Sequence, residues 1–158
     1  MQVERVETVS IGVTVCAERR QILQGKRVLV VDDDSAGRHL MKLFLQQFGA
    51  IVVVAQSVKE ARPLFIKEPP DLLIGDIRFH RSSGYELMTW VRSLSPEQGG
   101  LVPAIALSAD VTPTARQDSL DAGFQLFCAK PFVFSELVTK IYYLLSLDSK
   151  KRTPLSPQ

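Results

Sequence analysis

Apolar runs and helix-period segments alternate along the chain from Lys26 onward, and this alternation carries the fold. "KRVLVV" (26–31), "AIVVVA" (50–55), "DLLIGD" (71–76), "VPAIALS" (102–108) and "FQLFCA" (124–129) are short, nearly continuous apolar runs. Runs of this kind predict strands buried on both faces, the habit of a parallel sheet. Between them lie segments with one apolar face. "SAGRHLMKLFLQQFG" (35–49) predicts a helix with Ser35 as N-cap, Gly49 as stop, and Leu40, Leu43, Phe44 and Phe48 as its core stripe. "SVKEARPLFIKE" (57–68) predicts a second, in which Ser57 and Glu60 form a capping box and Pro63 shortens or kinks the helix. "GYELMTWVRSL" (84–94) predicts a third. Thr112 and Pro113 start a fourth, which stops at Gly123, and "FSELVTKIYYLLSL" (134–147) predicts a fifth. Five strands alternating with five helices imply an α/β domain with helices on both faces of a parallel sheet.

The ends of the chain differ from this pattern. In residues 1–25, Val9, Ile11, Val13 and Val15 alternate with polar or small residues, the signature of a half-buried strand. The leader is open to three readings: an extra edge strand, a partly disordered segment, or the worn end of a preceding domain. Residues 148–158 read as a flexible tail, with Lys150, Lys151 and Arg152 as a solvated basic cluster.

Bulk numbers narrow the function classes. A chain of 158 residues suffices for one domain with a full core, and 46% hydrophobic with 23% charged residues is an ordinary globular balance. A net charge of +2 on scattered basic residues gives no argument for direct DNA binding. No apolar run is long enough for membrane insertion, and the amino terminus lacks a signal-peptide core, so a cytoplasmic location is the expectation. Cys16 and Cys128 have no metal-ligand spacing, and Cys128 reads as a small core residue.

Candidate chemistry stands where the strands end. The first ends in Asp32, Asp33 and Asp34, the third in Asp76, the fourth in Ser108 and the fifth in Lys130-Pro131. Taken singly, Asp76 and the aspartates read as turn or helix caps and Lys130 as a surface charge. In a parallel sheet, however, all these ends share one edge. Crowded carboxylates repel unless a cation joins them. Oxygen ligands of this kind suit Mg²⁺ or Mn²⁺, and a divalent ion beside a lysine makes a pocket for a phosphoryl group. Asp76 then becomes a candidate nucleophile that forms an acyl phosphate.

"VLVVDDDS", "LLIGDIRFHRSSGYEL", "ALSAD" and "AKPF" together resemble the signatures of response-regulator receiver domains, over about residues 26 to 147. The resemblance implies a flavodoxin-like fold, strand order 2-1-3-4-5. It implies that Asp76 accepts a phosphoryl group from the phosphohistidine of a sensor histidine kinase or a histidine phosphotransfer protein. It further implies that Asp33 binds the metal directly, Asp32 through water, and Arg78 through its backbone carbonyl. Ser108 and Phe127 would be the switch residues, and Lys130 the phosphoryl partner, with a cis peptide before Pro131. Asp34 falls outside the acidic pair and reads as favourable charge at a helix start.

The chain departs from the family's pattern at Phe79, His80 and Ser83, where Met, Pro and Asp are usual, and at Phe127, where Tyr is frequent. His80 and His39 read as ordinary surface and helix residues. Arg78 and Asp110 occupy positions that tune dephosphorylation in the family, and their opposite charges suggest a pair across the pocket mouth.

The implied function is a phosphoacceptor module of a two-component or phosphorelay system, with no enzymatic activity beyond taking and slowly losing phosphate. The eleven residues after Leu147 are too few for an output domain, so output falls to a protein–protein contact, such as a phosphorylation-dependent homodimer, or to onward relay. The alternatives are a detached receiver from a hybrid histidine kinase, an aspartyl-phosphate phosphatase and an unphosphorylated pseudo-receiver. The phosphatases place a second Asp where Arg78 stands, and the complete Asp32, Asp33, Asp76, Ser108 and Lys130 set argues against a pseudo-receiver.

Overall fold

The computed structural model describes residues 7–8, 14–15, 21–78 and 83–152. Five strands, β1 (Arg27–Val31), β2 (Ile51–Ala55), β3 (Leu72–Asp76), β4 (Ala104–Ser108) and β5 (Leu126–Ala129), form a sheet in the order β2-β1-β3-β4-β5. Every pairing is parallel. Five helices connect or follow them: α1 (Ser35–Gln46), α2 (Val58–Lys67), α3 (Gly84–Ser93), α4 (Pro113–Ala122) and α5 (Phe134–Arg152). This is the flavodoxin-like α/β architecture.

The period of two along a strand explains the two apolar layers. Val28 and Val30 of β1 face one way, where Leu72, Ile74, Ile105 and Leu107 join Met41, Phe44 and Leu45 of α1 and Leu137 and Ile141 of α5. Leu29 and Val31 face the other way, toward Ala61 and Phe65 of α2 and Leu87, Met88 and Val91 of α3. Cys128 is a buried core residue of the first layer. With apolar side chains required on both faces, the central strands read as unbroken hydrophobic runs.

Several boundaries depart from the sequence pattern. Asp34, not Ser35, caps α1, its side chain accepting from the Gly37 N–H at 3.2 Å. The α1 stripe is rotated from the predicted one. Phe44 and Phe48 are buried, joined by Met41 and Leu45, whereas Leu40 and Leu43 stand 49% and 47% exposed. Pro63 sits inside α2 without ending it; the Ser57 cap and the burial of Val58, Ala61 and Phe65 hold the helix across it. Thr112 and Gly123 bound α4 as the sequence suggested, Gly123 with φ +117° in the left-handed region. Helix α5 continues through Arg152, into residues read from sequence as a tail.

In the leader, Glu7–Thr8 pairs antiparallel with Thr14–Val15. These strands form a sheet of their own, so Val15 is not an added edge of the main sheet. Val9, Ile11, Val13 and Cys16 lie outside the described residues, as do Phe79 and His80. His39 is an exposed residue of α1. Among the described residues, no helix is long and apolar enough to cross a membrane.

Candidate functional site: an acidic pocket at the carboxyl edge of the sheet

Parallel pairing brings the carboxyl ends of the strands to one edge. Asp76 stands opposite Leu107, one residue before Ser108, and Ser108 stands opposite Ala129, one residue before Lys130. The Lys130 N–H donates to the Ser108 carbonyl at 2.7 Å, which extends the β4–β5 ladder to the lysine. The peptide bond between Lys130 and Pro131 is cis. On the other side of β3, the Asp32 N–H donates to the Ala55 carbonyl at 3.1 Å, so β1 ends level with β2.

Asp32, Asp33 and Asp76 each bring a carboxylate oxygen within 4.8 Å of the others. The Lys130 ammonium donates to Asp76 Oδ2 at 2.7 Å and to Asp32 Oδ2 at 3.3 Å. Asp76 Oδ1 accepts the Arg78 backbone N–H at 3.0 Å, and Asp32 Oδ1 accepts that of Asp34 at 2.9 Å. The Asp32 carbonyl accepts from the Arg38 guanidinium at 2.7 Å. Both acids are therefore fixed in direction.

Burial raises the carboxyl pKa of Asp32, only 4% exposed. The Asp34 N–H and the Lys130 charge pull it back, and the Asp76 charge adds to the rise. Burial alone would lower the Lys130 ammonium. The hydrogen bond to Asp76 and the charges of Asp32 and Asp76 outweigh it, and the pKa lies above its ordinary value. Three carboxylates thus converge beside the Lys130 ammonium. Converging hard oxygen donors of this kind fit Mg²⁺ or Mn²⁺.

Ser108 is buried, and its Oγ accepts the Asp110 N–H at 3.0 Å. Arg78 and Asp110 form an ion pair at 2.8 Å, Nη2 to Oδ2, on the rim. Backbone and hydroxyl hydrogen bonds within the turn to Thr112, then Arg78, hold the Asp110 carboxyl below the usual range. Phe127 lies apart from the carboxylates, opposite Ala106. Its ring is 8% exposed, with the Arg116 guanidinium 4.7 Å from the centroid.

Gly84 is a position beside the site that the sequence pattern did not single out. A Cβ there would lie 2.3 Å from the Asp76 carbonyl oxygen, so α3 approaches the acid-bearing strand as only glycine permits. Its N–H also donates to the Ile77 carbonyl at 2.9 Å, tying α3 to the turn after Asp76. The lone signal was a glycine directly after the Ser83 cap, whose side chain accepts from the Glu86 N–H.

A family model described as "Response regulator receiver domain" matches residues 28–142. The chain belongs to this family. As a receiver domain of two-component signalling it is 41% identical, over 75% of its own length, to an uncharacterized 14.6 kDa protein of Leptolyngbya boryana, spanning 88% of that protein. It is 34% identical to the response regulator MprA of Mycobacterium sp. (strain KMS) over 83% of this chain, but spans only 55% of that relative's length. A crystal structure of a putative response regulator from Chloroflexus aurantiacus superposes with TM-score 0.73 at 31% identity, covering 78% of this receiver and 99% of that chain. Other matches are kinases and sensory proteins several times longer, of which this receiver spans 13% and 19%.

Proposed function

We propose that this receiver accepts a phosphoryl group from the phosphohistidine of a sensor histidine kinase or a histidine phosphotransfer protein, and that Asp76 is the acceptor. The observation that carries the reading is the Lys130 ammonium at 2.7 Å from Asp76 Oδ2, in a cluster with the Asp32 and Asp33 carboxylates. An Asp76 oxygen attacks phosphorus, the new O–P bond forms as the P–N bond breaks, and the imidazole leaves with the electron pair. Lys130 neutralises charge on the transferred phosphoryl oxygens. Asp32, Asp33 and Asp76, with the Arg78 carbonyl, would hold Mg²⁺, which supplies further neutralisation of the phosphoryl oxygens when bound. Release by water returns Asp76 to its free form, so the chain turns over no substrate beyond its own phosphate.

A protein donor is supported by the surroundings. Asp32 and Lys130 also line a crevice with Leu40, Met41, Phe132 and Phe134, an apolar surface beside the carboxylate cluster that suits a protein donor. Arg78 stands two residues after Asp76 and turns onto Asp110, where phosphatases of related fold need a carboxylic acid. Ser108 would shift toward the phosphoryl oxygen, and Phe127 would relay that shift to a protein-interaction surface. The much longer kinase and sensory relatives support a second reading of context, in which this receiver works as a portion of a hybrid kinase.

The test is incubation with acetyl phosphate and Mg²⁺ followed by intact-mass analysis. A gain of one phosphoryl group, abolished by Asp76→Ala and by excess EDTA, is the expected result. Unchanged mass in the parent protein refutes the proposal.

A further inference from the structure

We propose that Arg38 is a positioning residue for the acidic pair: bonded to the Asp32 carbonyl, it holds the loop between β1 and α1 in the conformation that presents Asp32 and Asp33 to a divalent cation. The inference rests on reading the carboxylate cluster as a metal site.

At Asp32 the chain leaves the sheet. Its N–H still bonds to Ala55, but its carbonyl has passed the last residue pairing of β1, Val31 with Ala55 and Gly75. Arg38 Nη1 takes that carbonyl at 2.7 Å. The carbonyl of residue 32 and the N–H of residue 33 belong to one rigid peptide plane. Fixing one therefore fixes the direction in which Asp33 sets out. The stem is anchored as well: Arg38 lies on α1, held to the core by Met41, Phe44 and Leu45, and its own N–H donates to the Asp34 carbonyl at 2.9 Å. The Asp34 side chain also accepts the Gly37 N–H at 3.2 Å, which ties the last residue of the loop to the first turn of α1.

Charge and bond predict opposite effects. The Arg38 cation lies behind a cation site, so its field opposes metal binding. If charge were its whole contribution, removing it would tighten Mg²⁺ binding, and a lysine would change nothing. If the directed bond to the carbonyl matters, both substitutions weaken binding, because lysine lacks the planar fork that reaches one acceptor at fixed geometry.

The experiment is calorimetric titration of the full chain with MgCl₂ for the parent, Arg38→Lys and Arg38→Met, with melting in EDTA to verify folding. Arg38→Lys keeps the charge and the aliphatic stem, and so folds whether or not the bond matters. Both variants are expected to bind Mg²⁺ about tenfold more weakly, as when groups behind metal ligands are changed. Their acetyl-phosphate labelling should need correspondingly more Mg²⁺ yet reach the parent's final level. Variants that match or exceed the parent's affinity overturn the assignment of Arg38 and leave the metal reading intact. A parent that binds no Mg²⁺ overturns both.

Discussion

Asp32→Asn offers the sharpest view of the balance struck in the acidic pocket. Carboxylate oxygens within 4.8 Å of one another repel by roughly 3 kcal/mol or more at an effective dielectric near 20. Asp32 has two such neighbours, Asp33 and Asp76. Against this, the Lys130 ammonium at 3.3 Å attracts by roughly 5 kcal/mol on the same scale. The two repulsions together outweigh that attraction, and the Asp34 N–H bond offsets part of the excess. Asparagine keeps an oxygen for that N–H and removes the charge, so the metal-free variant should be about 1 kcal/mol more stable, raising Tm by about 2–4 °C. Mg²⁺ is expected to reverse the order: at a hundredfold excess over Kd it should stabilise the parent by about 2.7 kcal/mol, and the variant, with one carboxylate of the cluster neutralised, by much less.

The pH dependence of Asp32→Asn has a defined sign. Because the folded-state pKa of Asp32 is raised, the folded protein holds more protons than the unfolded chain above the ordinary carboxylate range. Asp32 therefore contributes stability as pH falls through that window, and the advantage of Asp32→Asn shrinks there. Thermal melts in EDTA and in Mg²⁺, at neutral and mildly acidic pH, give all four numbers. A variant less stable than the parent in EDTA at pH 7 would refute the reasoning.

Other consequences are as direct. Gly84→Ala drives a methyl into the Asp76 carbonyl and should destabilise the fold by about 1–3 kcal/mol, read as a lowered urea midpoint, with slower acceptance of phosphate even where the protein is folded. Arg78→Ala opens the rim closed by the Arg78–Asp110 pair and should shorten the phospho-Asp76 half-life several-fold; an unchanged half-life refutes a shielding role for the pair. Its effect on stability should be under about 1 kcal/mol, because the arginine is largely exposed. Cys128 is fully buried and burial raises its thiol pKa, so in a Cys16→Ser background the native protein should resist a thiol reagent that labels it promptly in urea.

The architecture was legible because its determinants are local and repeated. Each strand had to be apolar on both faces, each helix on one, and the caps at Ser57, Thr112 and Gly123 stood in plain sequence. The α1 stripe was misphased because Leu40 and Leu43 are leucines by composition and surface residues by position. No periodicity separates those two roles when Met41 and Leu45 are equally apolar. At the site, the carboxylates, Ser108 and Lys130 could be placed on one edge from strand ends alone. Gly84 could not, because its role depends on how closely α3 approaches the turn after Asp76. Such distances are set by packing on the far side of the helix.

The contact between Lys130 and Asp32 joins residues 98 positions apart in the chain. Neither residue has any reason to meet the other until the strands between them are aligned, so no excised peptide could reproduce the pairing. The pocket is thereby a late product of folding: the ammonium and the carboxylates are brought together only in a chain whose whole sheet is assembled.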